Sequence, residues 1–593
     1  MKNVRLVVAV FCALFAQNLA AQTKPVSADA LIGLWGSEEI YGPTVRGDLV
    51  IDARQPEWRA QIGGYQIVFR PEAIKLDFKL PADAGEFRGQ LSSDRKTLTG
   101  HWIQPGGPWP FNNRYATPLE FTAIAPNAWK GTVVPLDQRI SLYLQIDKAA
   151  DGKLIAFIRN PEGNMVRGQT FEVELRNTTV HFSNQNGGAD GTYDHDANTI
   201  SIALLDGRPP VMFTRRDRNS AVGFYARTPE ARTSYVYRQP LAQNDGWAVG
   251  SLKDAGLDPK PLAELIDRIV TTQPSLVNPV DLHSLLIARH GKLVLEEYFY
   301  GYDENRPHDL RSAGKTYSSA LVGIAQDQGF KLAPETPVYP LFAQYKPIAN
   351  WDDRKSKLTI RDLLTMTSGY FCDDGNPKAP GNEDVMQNQS EQPDWYKYTL
   401  DLPMASDPGG DQAIYCSVDS NLAMGAVRQA TGKWIPDFFY ENLARPLQMR
   451  NYYLNLMPTG EAYGAGGMQI RPRDELKLGQ LYLSGGLWNG HRVISAQWVK
   501  ESLSVRSHFQ PRMASDTDHA YGYAWHSRPH EFAGHTIRDF YAAGNGGQYI
   551  IVLPDLDMVV VMNGGDYSES KKFFPFESDL LQRYIIAAVD PAR

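Results

Sequence analysis

The chain has 593 residues, 42% of them hydrophobic, and its 60 Lys and Arg against 67 Asp and Glu leave a net charge of −7. That length exceeds one ordinary core, so two or three domains are expected. The mild acidity supplies neither the basic stripe of a nucleic-acid binder nor a polybasic membrane anchor, so the expected partners are small molecules or peptides.

In chain order, Lys2 and Arg5 precede an apolar run from Leu6 to Phe15 and then Leu19-Ala20-Ala21. This reads as a cleavable signal peptide over residues 1–21, and hence as a secreted or periplasmic protein. The run is too short to span a bilayer and no other stretch is long and apolar enough, so no stable membrane span is expected after cleavage. Removal of Cys12 leaves Cys372 and Cys416, enough for one disulfide in an oxidising compartment. Neither lies in a Cys-x-x-Cys pair and no His-Glu-x-x-His occurs, so neither a metal nor another cofactor is expected.

Residues 22–240 carry short alternating runs such as Tyr65–Phe69, Ile140–Ile146 and Phe171–Leu175, broken by Gly, Asn and Asp, which predict an all-β domain. Gly89 to Thr99 echoes Gly191 to Ser201, and Trp35 and Trp129 open two similar halves, so a barrel or sandwich with a packing role is expected. Gln239 to Pro261 reads as a linker into a second domain over 241–593. There Leu285–Ala288 and Leu293–Glu296 predict one hairpin. Tyr549–Leu553 and Met558–Met562 predict another, buried on both faces. Helical signals between Ser312 and about Ser504 predict a helical lobe inserted between early and late strands of one sheet, with the site at the seam.

Ser-x-x-Lys occurs three times, at Ser93, Ser312 and Ser568. The first lies in a polar turn and the last in a Lys-rich loop, both read as solvated surface. Ser312 instead opens a stretch in which Tyr317, Ala320, Leu321, Ile324 and Ala325 recur at helical spacing before Gly329. At i and i+3, the Lys315 amine reaches the Ser312 hydroxyl. A serine becomes nucleophilic when a base takes its proton, and a lysine serves as that base if burial or a neighbouring cation lowers its pKa. The helix start adds a free N–H for an oxyanion.

The region from about His283 to Ile586 resembles the serine β-lactamase-related superfamily, which includes class C β-lactamases, D-alanyl-D-alanine peptidases, esterases and 6-aminohexanoate-dimer hydrolases. The resemblance is carried by His283–Phe299, Ser312-Ala-Gly-Lys315, Leu358–Gly369, Ile414-Tyr-Cys-Ser417, Gly466–Asp474 and Gly544-Asn-Gly-Gly-Gln548, in the family's order. It implies an α+β fold, an antiparallel sheet with helices and an inserted helical lobe, preceded here by the all-β domain. It further implies Ser312 as nucleophile, with Lys315 and Tyr415 as a coupled proton relay whose resting base the sequence leaves open. The backbone N–H groups of Ser312 and Gln548 would form the oxyanion hole.

Two departures matter. Ser417 stands where β-lactam-hydrolysing relatives have an asparagine, and Asn545-Gly546-Gly547 stands where they have Lys-Thr-Gly, so no lysine is there to hold a substrate carboxylate. Gly546 and Gly547 allow close backbone approach. Tyr370, Phe371 and Trp395 are candidates for the pocket wall, with plain packing the alternative. Cys372 and Cys416 are either a disulfide tying a pocket loop to Tyr415 or two buried thiols. The reading is an exported serine hydrolase that cleaves an ester or small amide through an acyl-enzyme. The rivals are a β-lactamase or D-alanyl-D-alanine peptidase, and a non-catalytic ligand-binding or sensor protein.

Overall fold

The structure, a computed structural model, describes residues 27–54, 57–107, 112–163, 170–204, 209–228, 235–274, 280–510 and 519–591. The expected signal segment, residues 1–21, lies outside them. The chain packs as two units. One holds the described residues of Met1–Glu38, Ser141–Asn160 and Val166–Ala221, the other those of Glu39–Ile140, Pro161–Met165 and Val222–Arg593.

In the first unit, eight strands among the described residues close into a barrel: Gly33–Tyr41, Gln138–Lys148, Leu154–Arg159, Thr170–Arg176, Thr179–Asn184, Gly187–Asp194, Thr199–Ile202 and Val211–Arg215. Alternation drives it: Val180 and Phe182 turn inward while their neighbours face out. The first and last strands pair at Trp35 and Arg215, and the Arg215 guanidinium lies 4.2 Å from the centre of the Trp35 ring. Closure leaves no unpaired edge.

The rest of the all-β stretch belongs to the second unit. Strands Gly47–Asp52, Trp58–Ile62, Tyr65–Phe69, Thr122–Ala125 and Ala128–Val133 form one sheet. Lys75–Lys79, Glu86–Leu91, Leu98–Gln104 and Arg114–Glu120 form a second. The two share an apolar core that includes Leu49, Phe78, Phe87, Trp102 and Trp129. The two echoing segments are therefore hairpins of one kind in different sheets, one pairing Glu86–Leu91 with Leu98–Gln104, the other Gly187–Asp194 with Thr199–Ile202. Leu454–Leu456, from the helical lobe, adds a fifth strand to the second sheet by pairing with Arg114–Glu120.

Residues 248–564 of the second unit contribute a nine-stranded sheet among the described residues. Leu282–Arg289 lies between Lys292–Tyr298 and Met558–Gly564, so early and late strands do join. Gln548–Leu553, His535–Gly544 and His526–Phe532 follow, all antiparallel. The apolar runs split by a period of two. Leu286, Ala288, Ile550, Val552, Val559 and Val561 face the core containing the helical lobe, whereas Leu285, Ile287, Ile551, Leu553, Val560 and Met562 face the core of the terminal helices. One of those helices, Pro259–Thr271, starts inside the stretch read as linker. Pro259 occupies its first turn, where a missing N–H costs nothing, and Asp258 caps it.

Candidate active site

Ser312 lies in a 3-10 turn, Arg311–Gly314, that runs directly into the helix Lys315–Asp327. Every residue of that helix from Lys315 to Ala325 is buried, which fixes its start against the sheet. Gly466 makes the approach feasible: a Cβ there would sit 2.6 Å from the Arg311 carbonyl oxygen. The Lys315 amine, 2% exposed, donates to Ser312 Oγ at 2.9 Å and to the Ala465 carbonyl at 2.9 Å. It also lies 4.9 Å from the centre of the Tyr415 ring.

The electrostatics differ from those a lysine base requires. Burial acts to lower the Lys315 pKa, but Tyr415, Glu383 and Asp374 together outweigh it, and the amine is held above its ordinary value. Lys315 is therefore an ammonium that donates to the serine.

Tyr415 precedes the helix Ser417–Thr431, whose residues from Ser417 to Val427 are buried. No side chain of Cys416 caps this helix; instead the Ser417 N–H donates to Asp374 Oδ2 at 2.9 Å, placing a carboxylate on the positive end of the helix. The Asp374 N–H returns to the Tyr415 carbonyl at 3.0 Å. Cys372 and Cys416 are joined as a disulfide with Cα atoms 5.7 Å apart, so residues 372–374 and 415–417 are bound to each other by three links. Burial first, then the neighbouring Glu383, push Asp374 up to about 6 against the lowering effects of Lys315 and Ser417.

Ser417 is wholly buried, its hydroxyl on Glu383 Oε2 at 3.3 Å. Asn545, Gly546 and Gly547 form the turn between the strands His535–Gly544 and Gln548–Leu553. Both glycines have φ near +97°, at +96° and +98°, and a Cβ would meet Tyr567 at 2.8 Å or Phe576 at 2.7 Å. The Asn545 side chain accepts from the Ser568 N–H at 2.7 Å. Gln548 is buried, its amide donating to the Gly564 carbonyl at 2.8 Å and its oxygen facing Asn563 Nδ2 at 3.4 Å. Asn563 in turn donates to Glu475 and accepts from Ser284.

Ser312, Tyr415 and Asn545 line a cavity of about 1070 Å³ together with Asp373, Asp374, Ile414, Phe509, His526, Arg528, Tyr541, Tyr549, Phe573 and Glu577. Ser568 lines it as well, although sequence placed that serine on solvated surface. Tyr370 and Trp395 are not among its walls. Tyr370 is buried with its hydroxyl 2.9 Å from that of Tyr339, and Trp395 packs edge-on against Tyr463 at 5.2 Å, so both are packing residues of the lobe. Asp374, Glu383, Arg528 and Glu577 carry no motif and were not singled out from sequence; the one available signal was the position of Asp374 beside Cys372.

Among the described residues, one cluster has the composition of a cation site: His530, Asp539 and Glu577, with ligand atoms within 4.8 Å of one another. Its charges are already balanced. The Arg528 guanidinium lies 3.1 Å from Glu577. Burial would lower His530, but Asp539 and Glu577 push it up to about 10, leaving two cations against two carboxylates.

The model of the family described as Beta-lactamase matches residues 283–571. A 6-aminohexanoate-dimer hydrolase from Paenarthrobacter ureafaciens is 24% identical over 269 residues, covering 43% of this chain and 66% of that relative's own length. Similar solved structures include a Bacillus anthracis protein provisionally named 6-aminohexanoate-dimer hydrolase, with a TM-score of 0.44, 20% identity, and coverage of 60% of this chain and 87% of that one. A penicillin-binding protein homologue from Caulobacter crescentus has a TM-score of 0.41 and 13% identity, over 53% of this chain and 93% of that one.

Proposed function

Because the chain carries a beta-lactamase family domain over residues 283–571, we propose that it is an exported serine hydrolase that cleaves an ester or small amide through an acyl-enzyme. The observation that carries the reading is the 2.9 Å bond from the Lys315 ammonium to Ser312 Oγ on the wall of a cavity of about 1070 Å³. Ser312 Oγ attacks the carbonyl carbon as its proton passes to Tyr415 acting as phenolate, the Lys315 ammonium being the counter-charge first of that phenolate and then of the negative charge that develops at Ser312 Oγ. The backbone N–H groups of Ser312 and Gln548 hold the oxyanion. Tyr415 then returns the proton to the leaving alkoxide or amine, and water attacks the acyl-enzyme by the reverse sequence to release the acid.

Asn545, occupied by the Ser568 N–H, offers no cation to a substrate carboxylate, which supports an ester or small amide over a penicillin or D-peptide. The cavity wall of Phe509, Tyr541, Tyr549 and Phe573 supports an apolar acyl or leaving group.

Intact mass after treatment with a fluorophosphonate, run beside Ser312→Ala, tests the proposal. One adduct that maps to Ser312 and is absent from the variant is expected. No adduct on folded protein would sink the hydrolase reading in favour of a binding role. Faster turnover of a chromogenic cephalosporin than of aryl esters would reverse the order of substrates.

A further inference from the structure

Resting on that reading, we propose that Glu383 and Asp374 are positioning residues for the reaction, a half-buried carboxylate pair that holds Tyr415 and the Lys315 ammonium in register with Ser312. Glu383 begins the helix Glu383–Asn388, and its two carboxylate oxygens point to different halves of the relay. Oε2 accepts from the Ser417 hydroxyl at 3.3 Å, two residues from Tyr415. Oε1 accepts from the Tyr463 hydroxyl at 2.5 Å. Tyr463 leads into Gly464-Ala465, whose carbonyls receive Ser318 Oγ at 2.5 Å and Lys315 Nζ at 2.9 Å. One side chain thus ties the tyrosine segment to the segment on which the lysine rests.

Asp374 completes the clamp. Its Oδ1 accepts the Glu383 N–H at 3.0 Å, its Oδ2 the Ser417 N–H at 2.9 Å, and its own N–H holds the Tyr415 carbonyl. Both carboxylates act on Lys315 through space, and both favour its charged form. The groups that face Asp374 are Glu383 from its helix, Lys315 from the Ser312 helix, and Asp419 and Tyr415 from the Ser417 segment, with Asp373 beside it in the chain. Burial pushes Asp419 well above the usual carboxylate range. The outcome is a corner with one ammonium under the field of two carboxylates, of which Asp374 gives up its charge at about pH 6. Losing that charge weakens the hold on the ammonium and on the positive end of the Tyr415 helix, so the relay falters on the acid side.

The experiment measures the rate of fluorophosphonate addition to Ser312 in the full chain from about pH 5 to about pH 9, with thermal midpoints alongside. Wild type is expected to label with an acid limb near pH 6. Asp374→Asn should lose that limb and label at its acid-side rate throughout, and Glu383→Gln should label about tenfold more slowly at alkaline pH while staying folded. A pair with a merely structural role would move midpoints without moving the acid limb. Should Glu383→Gln not fold, Tyr463→Phe cuts only the bond to Oε1 and is expected to slow labelling. Variants whose rates and pH profile superimpose on wild type would overturn the proposal while leaving Ser312 as nucleophile. Absence of labelling in wild type would sink the underlying hydrolase reading and this one with it.

Discussion

Two acidic corners, one buried around Glu577 and one half-buried around Asp374, adjoin the same cavity and behave in opposite ways. Around Glu577, the cations Arg528 and His530 match Glu577 and Asp539, and the result is an internal ion network. Around Glu383, two carboxylates face one ammonium, and burial first, then the charge of Glu383, drives Asp374 up to about 6. Under the proposed mechanism, similar residue types serve stability where charge balances and proton chemistry where it does not.

The largest effect belongs to the unbalanced corner. Ser312→Ala should lower ester turnover by about 10⁴-fold or more with an unchanged thermal midpoint, because it removes the oxygen on which the relay acts. In the balanced corner, Arg528→Ala should leave activity to suffer only through stability. It leaves the buried Glu577 and Asp539 to share the His530 cation, at a cost of up to about 3–5 kcal/mol measured by denaturant unfolding. A larger loss of labelling than of stability would break the contrast.

Cys372→Ser with Cys416→Ser cuts one of the three links between the Asp374 loop and the Tyr415 segment. A loss of about 2–4 kcal/mol is expected, and dithiothreitol should reproduce it in the wild type. The smallest effect is a gain. The folded-state value of Asp374 lies above its ordinary 3.8, so the folded protein binds this proton more tightly than the unfolded chain. That contribution to stability is fully present below about pH 4 and is lost as pH rises through about 6. Asp374→Asn removes the cost of ionising there, so its stability relative to wild type should be higher at alkaline pH than at about pH 4, by up to about 2–3 kcal/mol. Equal differences at both pH values would show that Asp374 ionises freely.

The strongest sequence signals were local. The helix after Ser312, the buried hairpin Gln548–Leu553 with Met558–Gly564, and the partnership of early and late strands were all legible, because periods of 3.6 and 2 encode which side is buried. Tyr370 and Trp395 were harder, since an aromatic that lines a cavity and one that fills a lobe have the same local pattern. The helix Pro259–Thr271 was hidden by prolines that read as linker but sit where a helix tolerates them.

By itself, the sequence determined the order and period of the elements and the spacing of Ser312 and Lys315, since both follow from chain geometry within a few residues. Only the tertiary structure decided the charge state of that pair. It brought Tyr415, Glu383 and Asp374 around the Lys315 amine, and the field they exert outweighs the burial that would otherwise have made it a base. Electrostatic balance is a sum over neighbours in space, and these neighbours lie 59 to 100 positions from Lys315 along the chain.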